Sequence, residues 1–280
     1  MHFSEEPIRS RQNRTVVELA KLEDRANREK AREFRFDGLK LTIEALKAGL
    51  EIPLLCLRES DAAQMAAKLE EKAVCRLEES VSRIVRLEDS VFAKISQEKS
   101  PEGVICVAKY IDKNQKDDII DDRFFSKESG ERIVLLESVR DPSNLGAIIR
   151  SAAALGVDRL IVSKDCADLY NPKTVRASMG TLFGQTITRT ESLADQIALL
   201  KKGGRRVFAA ALAPGARTLG SFPVEKGDCV VIGNEGHGLS EAVIAACTES
   251  VLIPMSPRAE SFNAAVAASL LMWEFSKAEC

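Results

Sequence analysis

Apolar residues recur along the chain in two rhythms. Between Pro7 and Phe36 they are sparse and set among charges, and this stretch is predicted to be helical and basic. Beyond it, short apolar runs alternate with stripes at 3–4 spacing. DGLKLTIEALKAG predicts a helix ending at Gly49, IPLLCLRE a strand and AAQMAAKLEEKA a helix. SRIVRLEDSVFAKISQ predicts a short strand and then a helix, and GVICVAKYI another strand. Together these make a small α/β domain over residues 1–111. DKNQKDDIIDDRFFSKESGE, residues 112–131, breaks the pattern with charge and is expected to be a linker.

Residues 132–280 alternate more cleanly. RIVLLESV (132–139), RLIVS (159–163), RVFAAAL (206–212), CVVIG (229–233) and SVLIPM (250–255) are predicted strands, with helices between most of them. Strands that are apolar throughout and separated by helices imply a parallel sheet covered on both faces. Ligands of such sheets sit at the carboxyl ends of the strands. The last helix, from about Ser261 to Lys277, is apolar almost all round, which predicts burial in a core or a subunit interface.

Composition narrows the function classes. A formal net charge of -2 means that nucleic-acid binding has to come from a local patch. One such patch is the stretch Arg9 to Arg35, with nine Lys or Arg against five Asp or Glu. It reads equally as a solvated helix face or as an arm along phosphates. Seven cysteines stand singly and without a Cys-x-x-Cys pair, which fits buried thiols in a reducing compartment. Two histidines are too few for a histidine-rich metal centre, so no metal is expected. No apolar run is long enough to span a membrane, and MHFSEEPIRSR lacks the apolar core of a signal peptide. A cytoplasmic protein is expected.

Polar exceptions collect where strands end. In ESVRDPSNLGAIIRSAAALGVDRL, Leu145, Ile148, Ile149, Ala152 and Leu155 form one helix stripe, and Arg150 lies about 165° from its centre. An arginine so placed is a solvated residue or a reactive one. Asn144 stands at the helix start, where capping alone accounts for it. GNEGHGLS follows CVVIG; it is no dinucleotide fingerprint, phosphate loop or nucleophile elbow, and is either a tight turn or a ligand cradle. In IPMSPRAESFNAAVAASLLMWE, Ser261 and Asn263 open the last helix, and capping accounts for Ser261 by itself.

In this order, NLGAIIRSAAALG, VVIGNEGHGLS and IPMSPRAESFNAAVAASLLMWE resemble the three motifs of the SpoU (TrmH-type) RNA ribose methyltransferases of the SPOUT superfamily. NPKTVRASMGTLF, residues 171–183, is similar to the family's segment between the first two motifs. SRQN and FDGLKLTIEALKAG resemble the RNA-binding domain, related to kink-turn-binding ribosomal proteins, that many members carry. The chain departs from the family at Phe262, commonly Leu, and at Ala264-Ala265, often Val-Ser.

The resemblance implies an α/β chain whose C-terminal parallel-sheet domain is threaded as a trefoil knot around S-adenosylmethionine, behind a smaller N-terminal RNA-binding domain. It implies transfer of the cofactor's methyl group to a ribose 2′-hydroxyl of rRNA or tRNA. An RNA-binding protein that has lost catalysis on the same scaffold is the alternative. Carried over, Ala211, Gly233, Ile253, Met255 and Phe262 contact the cofactor, and Asn144, Arg150, Glu235, Ser261 and Asn263 form the catalytic set. The family pattern also implies a homodimer through the C-terminal domain, with the arginine reaching the partner's cofactor. An arginine is a poor base, so Arg150 is expected to clamp a phosphate or the developing alkoxide.

Overall fold

The computed structural model describes residues 6–111 and 122–279, with the backbone alone at 122, 123 and 279. In chain order the first elements are α1 (Arg14–Lys21), α2 (Arg25–Ala31), β1 (Glu33–Asp37), α3 (Leu39–Lys47), β2 (Leu54–Arg58), α4 (Ala62–Ala73), α5 (Leu77–Ser80), β3 (Ile84–Leu87), α6 (Asp89–Ile95) and β4 (Val104–Lys109). There follow α7 (Asp122–Phe125), β5 (Ile133–Leu136), α8 (Pro142–Ala154), β6 (Arg159–Ser163), α9 (Pro172–Ser178), β7 (Thr186–Thr190) and α10 (Leu193–Lys202). The last are β8 (Val207–Ala210), β9 (Arg217–Thr218), β10 (Cys229–Ile232), α11 (Glu241–Ala246), β11 (Glu249–Leu252) and α12 (Ala264–Ser276).

These elements form two compact units, residues 1–111 with 170–184, and residues 112–169 with 185–280. The first unit holds a mixed sheet in the order β1-β4-β2-β3. Val16, Leu19 and Leu22 from the α1 region and Val91 and Phe92 of α6 pack on Cys56, Val85, Ile105 and Val107. Period-2 alternation leaves Leu55, Leu57, Cys106 and Ala108 on the opposite face, also buried. Tyr170 stacks on Tyr110 with ring centroids 3.9 Å apart, and Phe183 lies 5.3 Å from Phe36. Aromatic packing therefore places residues 170–184 in the first unit, although by sequence they fall inside 132–280.

The continuous helix expected up to Phe36 is broken twice. Asp24 accepts from the Asn27 amide and restarts the helix as α2, and Arg32 ends α2 with φ of 56°. EFRFD is then a strand, antiparallel to β4, with Phe34 and Phe36 fully buried. Two cations of the basic stretch are buried as well. The Arg28 Nη1 donates to the Leu22 and Glu23 carbonyls at 2.9 and 2.6 Å. The Arg35 Nη2 donates to Asp37 at 3.0 Å and to the Ile95 carbonyl at 2.7 Å.

The second unit is built on a seven-stranded sheet, β7-β6-β5-β10-β8-β11-β9, in which every pairing is parallel. Strand order reverses between β5 and β10, the kind of switch point at which parallel sheets open a crevice. The expected linker divides. Residues 112–121 lie outside the described residues, whereas Phe124 and Phe125 are buried with Ile133, Ile161, Val207 and Val231. Their carbonyls and that of Ser126 accept from the buried Arg205 at 3.2, 3.0 and 2.9 Å, and those of Glu131 and Gly227 at 2.8 and 3.0 Å. Two adjacent phenylalanines among charges carry no periodicity, so the pattern conceals them.

The six described cysteines are unpaired, and burial pushes the Cys56, Cys229 and Cys247 thiols up to about 12. Among the described residues no helix is long and apolar enough to cross a membrane, and no cluster of potential metal ligands occurs.

Candidate active site

The glycine-rich loop after β10 is shaped by its own backbone. A Cβ on Gly233 would lie 2.4 Å from the Gly238 carbonyl carbon, so only glycine fits there. Gly238, with φ of 69°, exchanges two hydrogen bonds of 3.0 Å with Asn234 and closes the turn. The Asn234 Oδ1 accepts from the Gly236 and His237 amides at 2.8 and 3.1 Å. Its Nδ2 donates to the Ser138 carbonyl at 2.8 Å, which ties the loop to the end of β5. Glu137 holds the other end, accepting from the Ser240 amide at 2.8 Å and hydroxyl at 2.7 Å.

Helices α8 and α12 bring polar side chains to this loop. The cap of α8 is Asp141, which accepts from the Ser143 and Asn144 amides at 2.7 and 2.9 Å, with Pro142 as the first helical residue. Asn144 is therefore not the cap expected of it, and its side-chain amide serves another use. Its Nδ2 donates to the Glu235 Oε1 at 2.9 Å, and its Oδ1 accepts from the Asn263 Nδ2 at 2.9 Å. Asn263 in turn caps α12, its Oδ1 accepting from the Ala265 and Val266 amides. The expected helix start at Ser261 is thus corrected to Ala264, and Ser261 is an exposed loop residue.

One chain of hydrogen bonds, Asn263–Asn144–Glu235, joins all three strand-end segments. Arg150 points away from the buried stripe of α8 and is exposed, and no described side chain bonds its guanidinium.

Beside this chain lies a cavity of about 550 Å³, at the carboxyl ends of β8, β10 and β11. Ala211, Gly233, Ile253, Met255 and Phe262 all line it, together with Glu235 and Ser261. Asn144, Arg150 and Asn263 do not. The volume is that of a small-molecule site. Ile253, Phe262 and Leu271 supply apolar walls, and Gly233, Gly236 and Gly238 present main chain without side chains. This donor set suits a nucleoside: a slot for a flat base and backbone groups for its polar edge.

Sequence reasoning misses Asn234, Glu137 and His237. Asn234 and Glu137 shape the loop, and His237 lines the cavity. For Asn234 and His237 the signal was their place among the glycines.

Comparison with known proteins gives the family. Residues 131–273, just over half of the chain, match the SpoU rRNA Methylase family, and residues 13–106 match the MRM3-like substrate binding domain. The chain is 27% identical to the 23S rRNA (guanosine(2553)-2′-O)-methyltransferase RlmP of Bacillus subtilis, over 95% of this chain and 97% of that one. Its fold is similar to an AdoMet-bound rRNA methyltransferase from Sinorhizobium meliloti, with a TM-score of 0.81, 28% identity and 97% of each chain covered. It is also similar to the SpoU methyltransferase AviRb from Streptomyces viridochromogenes in complex with AdoMet. There the TM-score is 0.75 at 25% identity, over 95% of this chain and 99% of that one. The chain belongs to the SpoU methylase family, enzymes that transfer a methyl group from S-adenosylmethionine to a ribose 2′-hydroxyl of structured RNA.

Proposed function

We propose that this chain methylates a ribose 2′-hydroxyl of ribosomal RNA, with the cofactor in the cavity at the ends of β8, β10 and β11. The observation that carries the reading is that cavity: all five residues expected at the cofactor line it, and the Asn263–Asn144–Glu235 chain runs beside it. Two relatives act by name on 23S rRNA, one at a guanosine and matched over 95% of this chain, the other at a uridine and matched over half of it, which favours large-subunit RNA without choosing a base.

S-adenosylmethionine supplies an electrophilic methyl group on a positively charged sulfur. Gly233 and Ala211 would give it main chain to lie against, and Ile253, Met255 and Phe262 would line the slot for its base. Arg150 holds the target phosphate and favours the ionised hydroxyl, so that water can take the proton. The Glu235 carboxylate is engaged by Asn144 at one oxygen and by Asn234, at 3.3 Å, at the other. We therefore read it as the group that orders the loop, in preference to a base. Ser261, exposed at the cavity, would meet the RNA.

We further propose that the protein is a cytoplasmic homodimer whose subunits each lend Arg150 to the partner's cofactor. Helix α12 supports this. It buries Ala264, Ala268, Leu271 and Met272, yet leaves Val266, Leu270 and Trp273 exposed at 46%, 38% and 57%. A second copy covering that stripe would remove it from water. The trefoil knot and an RNA-binding role for residues 1–111, related to kink-turn recognition, complete the reading.

The test is to map 2′-O-methylation across total RNA with and without the gene. One ribose should lose its methyl group, and regain it with the wild-type chain but not with Arg150→Ala. No lost site would leave an RNA-binding scaffold without catalysis.

A further inference from the structure

Ser138 is one of four described non-glycine residues with positive φ, at 54°, and it stands two residues beyond the end of β5. A side chain in that region carries a steric cost that the surrounding contacts must outweigh. Here the holder is Asp165, which follows the end of β6. The Ser138 hydroxyl donates to the Asp165 Oδ2, and the Ser163 hydroxyl donates to Oδ1 at 2.5 Å. The Ser138 amide donates to the Ser163 Oγ at 2.9 Å, so the turn is held at both backbone and side chain. Arg140 adds a longer ion pair to Asp165, at 3.6 Å. Desolvation opposes ionisation of Asp165, but the two hydroxyls, its own amide and Arg140 together hold its carboxyl below the usual range.

What the turn presents is the Ser138 carbonyl, and that carbonyl accepts from Asn234, the residue that shapes the glycine-rich loop. Glu137, one residue earlier, holds Ser240 at the loop's far end. We infer that Ser138 and Asp165 are positioning residues: they lock the strained turn after β5 so that Glu137 and the Ser138 carbonyl clasp both ends of the cofactor loop. Neither side chain lines the cavity. The inference rests on the reading of that cavity as the cofactor site.

The strain makes a sharp test, because glycine adopts this φ freely. Ser138→Ala keeps the steric cost and loses the bond to Asp165. Ser138→Gly loses the same bond and removes the cost. Amide hydrogen exchange at Gly236 and His237 reads the loop directly, and calorimetry with S-adenosylmethionine reads the site. Ser138→Ala should speed exchange at these two amides, and weaken cofactor binding, by about ten-fold each. Ser138→Gly should restore both to within about two-fold of wild type. Asp165→Ala should mimic Ser138→Ala, and should have no further effect in the chain that also carries Ser138→Gly. If Ser138→Ala itself unfolds, Asp165→Ala, at a side chain 42% exposed, carries the same comparison.

Unchanged exchange in Ser138→Ala and Asp165→Ala would overturn the clasp. So would a Ser138→Gly chain as impaired as Ser138→Ala, since the hydroxyl itself would then matter. A wild-type chain that binds no cofactor would instead overturn the reading of the cavity, with the exchange comparison still deciding the clasp.

Discussion

Arg28 and Arg35 of the first unit and Arg150 of the second face opposite ways. In the first, the sequence advertises a basic face, yet Arg28 and Arg35 point inward and satisfy carbonyls and Asp37. In the second, nothing in the sequence around Arg150 is basic, yet it stands exposed on the helix that carries Asn144 to the cavity's edge. Charge counted along a chain says how many cations exist; it does not say which way they face. Helix and strand geometry decides that, because a cation at a chain reversal is the nearest donor for carbonyls the turn leaves open. Arg205 makes the point within the second unit, where it is as buried as Arg28 and serves only structure.

The largest effect should come from Arg205→Ala. Removing the guanidinium strands the carbonyls of Phe124, Phe125, Ser126, Glu131 and Gly227 in the interior. Denaturant unfolding should show a loss of about 3–5 kcal/mol. A loss below about 1 kcal/mol would mean that residues 124–131 are not anchored to the second unit.

Arg150→Ala should behave in the opposite way. Stability should shift by less than about 0.5 kcal/mol, as for other exposed side chains. Single-turnover methylation should fall on the order of 100-fold, with cofactor affinity held. Mixing this variant with Gly233→Ala, whose added Cβ clashes with the loop's own backbone, tests the dimer, because recovered activity requires arginine and cofactor from different subunits. Methylation surviving within a few-fold would return Arg150 to the solvated surface and remove the contrast between the units.

RLIVS is apolar throughout and coincides with β6. TITRT does not read as a strand, because its threonines and arginine look solvated, yet β7 buries Ile187, Thr188 and Thr190. EFRFD is hidden for the related reason that Arg35 and Asp37 neutralise each other inside the first unit. At the site, Gly233 was readable because backbone crowding leaves a mark in the sequence. The Asn263–Asn144 bond was not, since it spans 119 residues and depends on α12 packing against α8. Family resemblance supplied the pairing of segments that periodicity could not.

A moderate effect is expected from Arg28→Ala, which leaves the Leu22 and Glu23 carbonyls without their donor. Thermal or denaturant melting should register a loss of about 2 kcal/mol. RNA binding by the fraction still folded should keep its salt dependence, because a buried guanidinium releases no counterion. A shallower slope would show that this arginine does face phosphate.

The smallest effect, and the one that decides whether the first unit has a basic face at all, is charge reversal at Arg11 and Arg14. Both are exposed. Arg14 pairs with Glu18 at 2.7 Å across one helical turn, an exposed pair that water and salt screen. That pair restrains Arg14 too weakly to keep it from a phosphate. Reversal should therefore leave the melting temperature unchanged. If both arginines lie along RNA, each phosphate left without its cation should flatten the slope of log affinity against log salt by roughly 0.7–0.9. A titration series from low to moderate salt resolves a change of that size even where affinity at a single salt concentration moves only a few-fold. An unchanged slope would show that the exposed remainder of the stretch is a solvated helix face. The first unit's cations would then serve its fold, and RNA would be held by other residues.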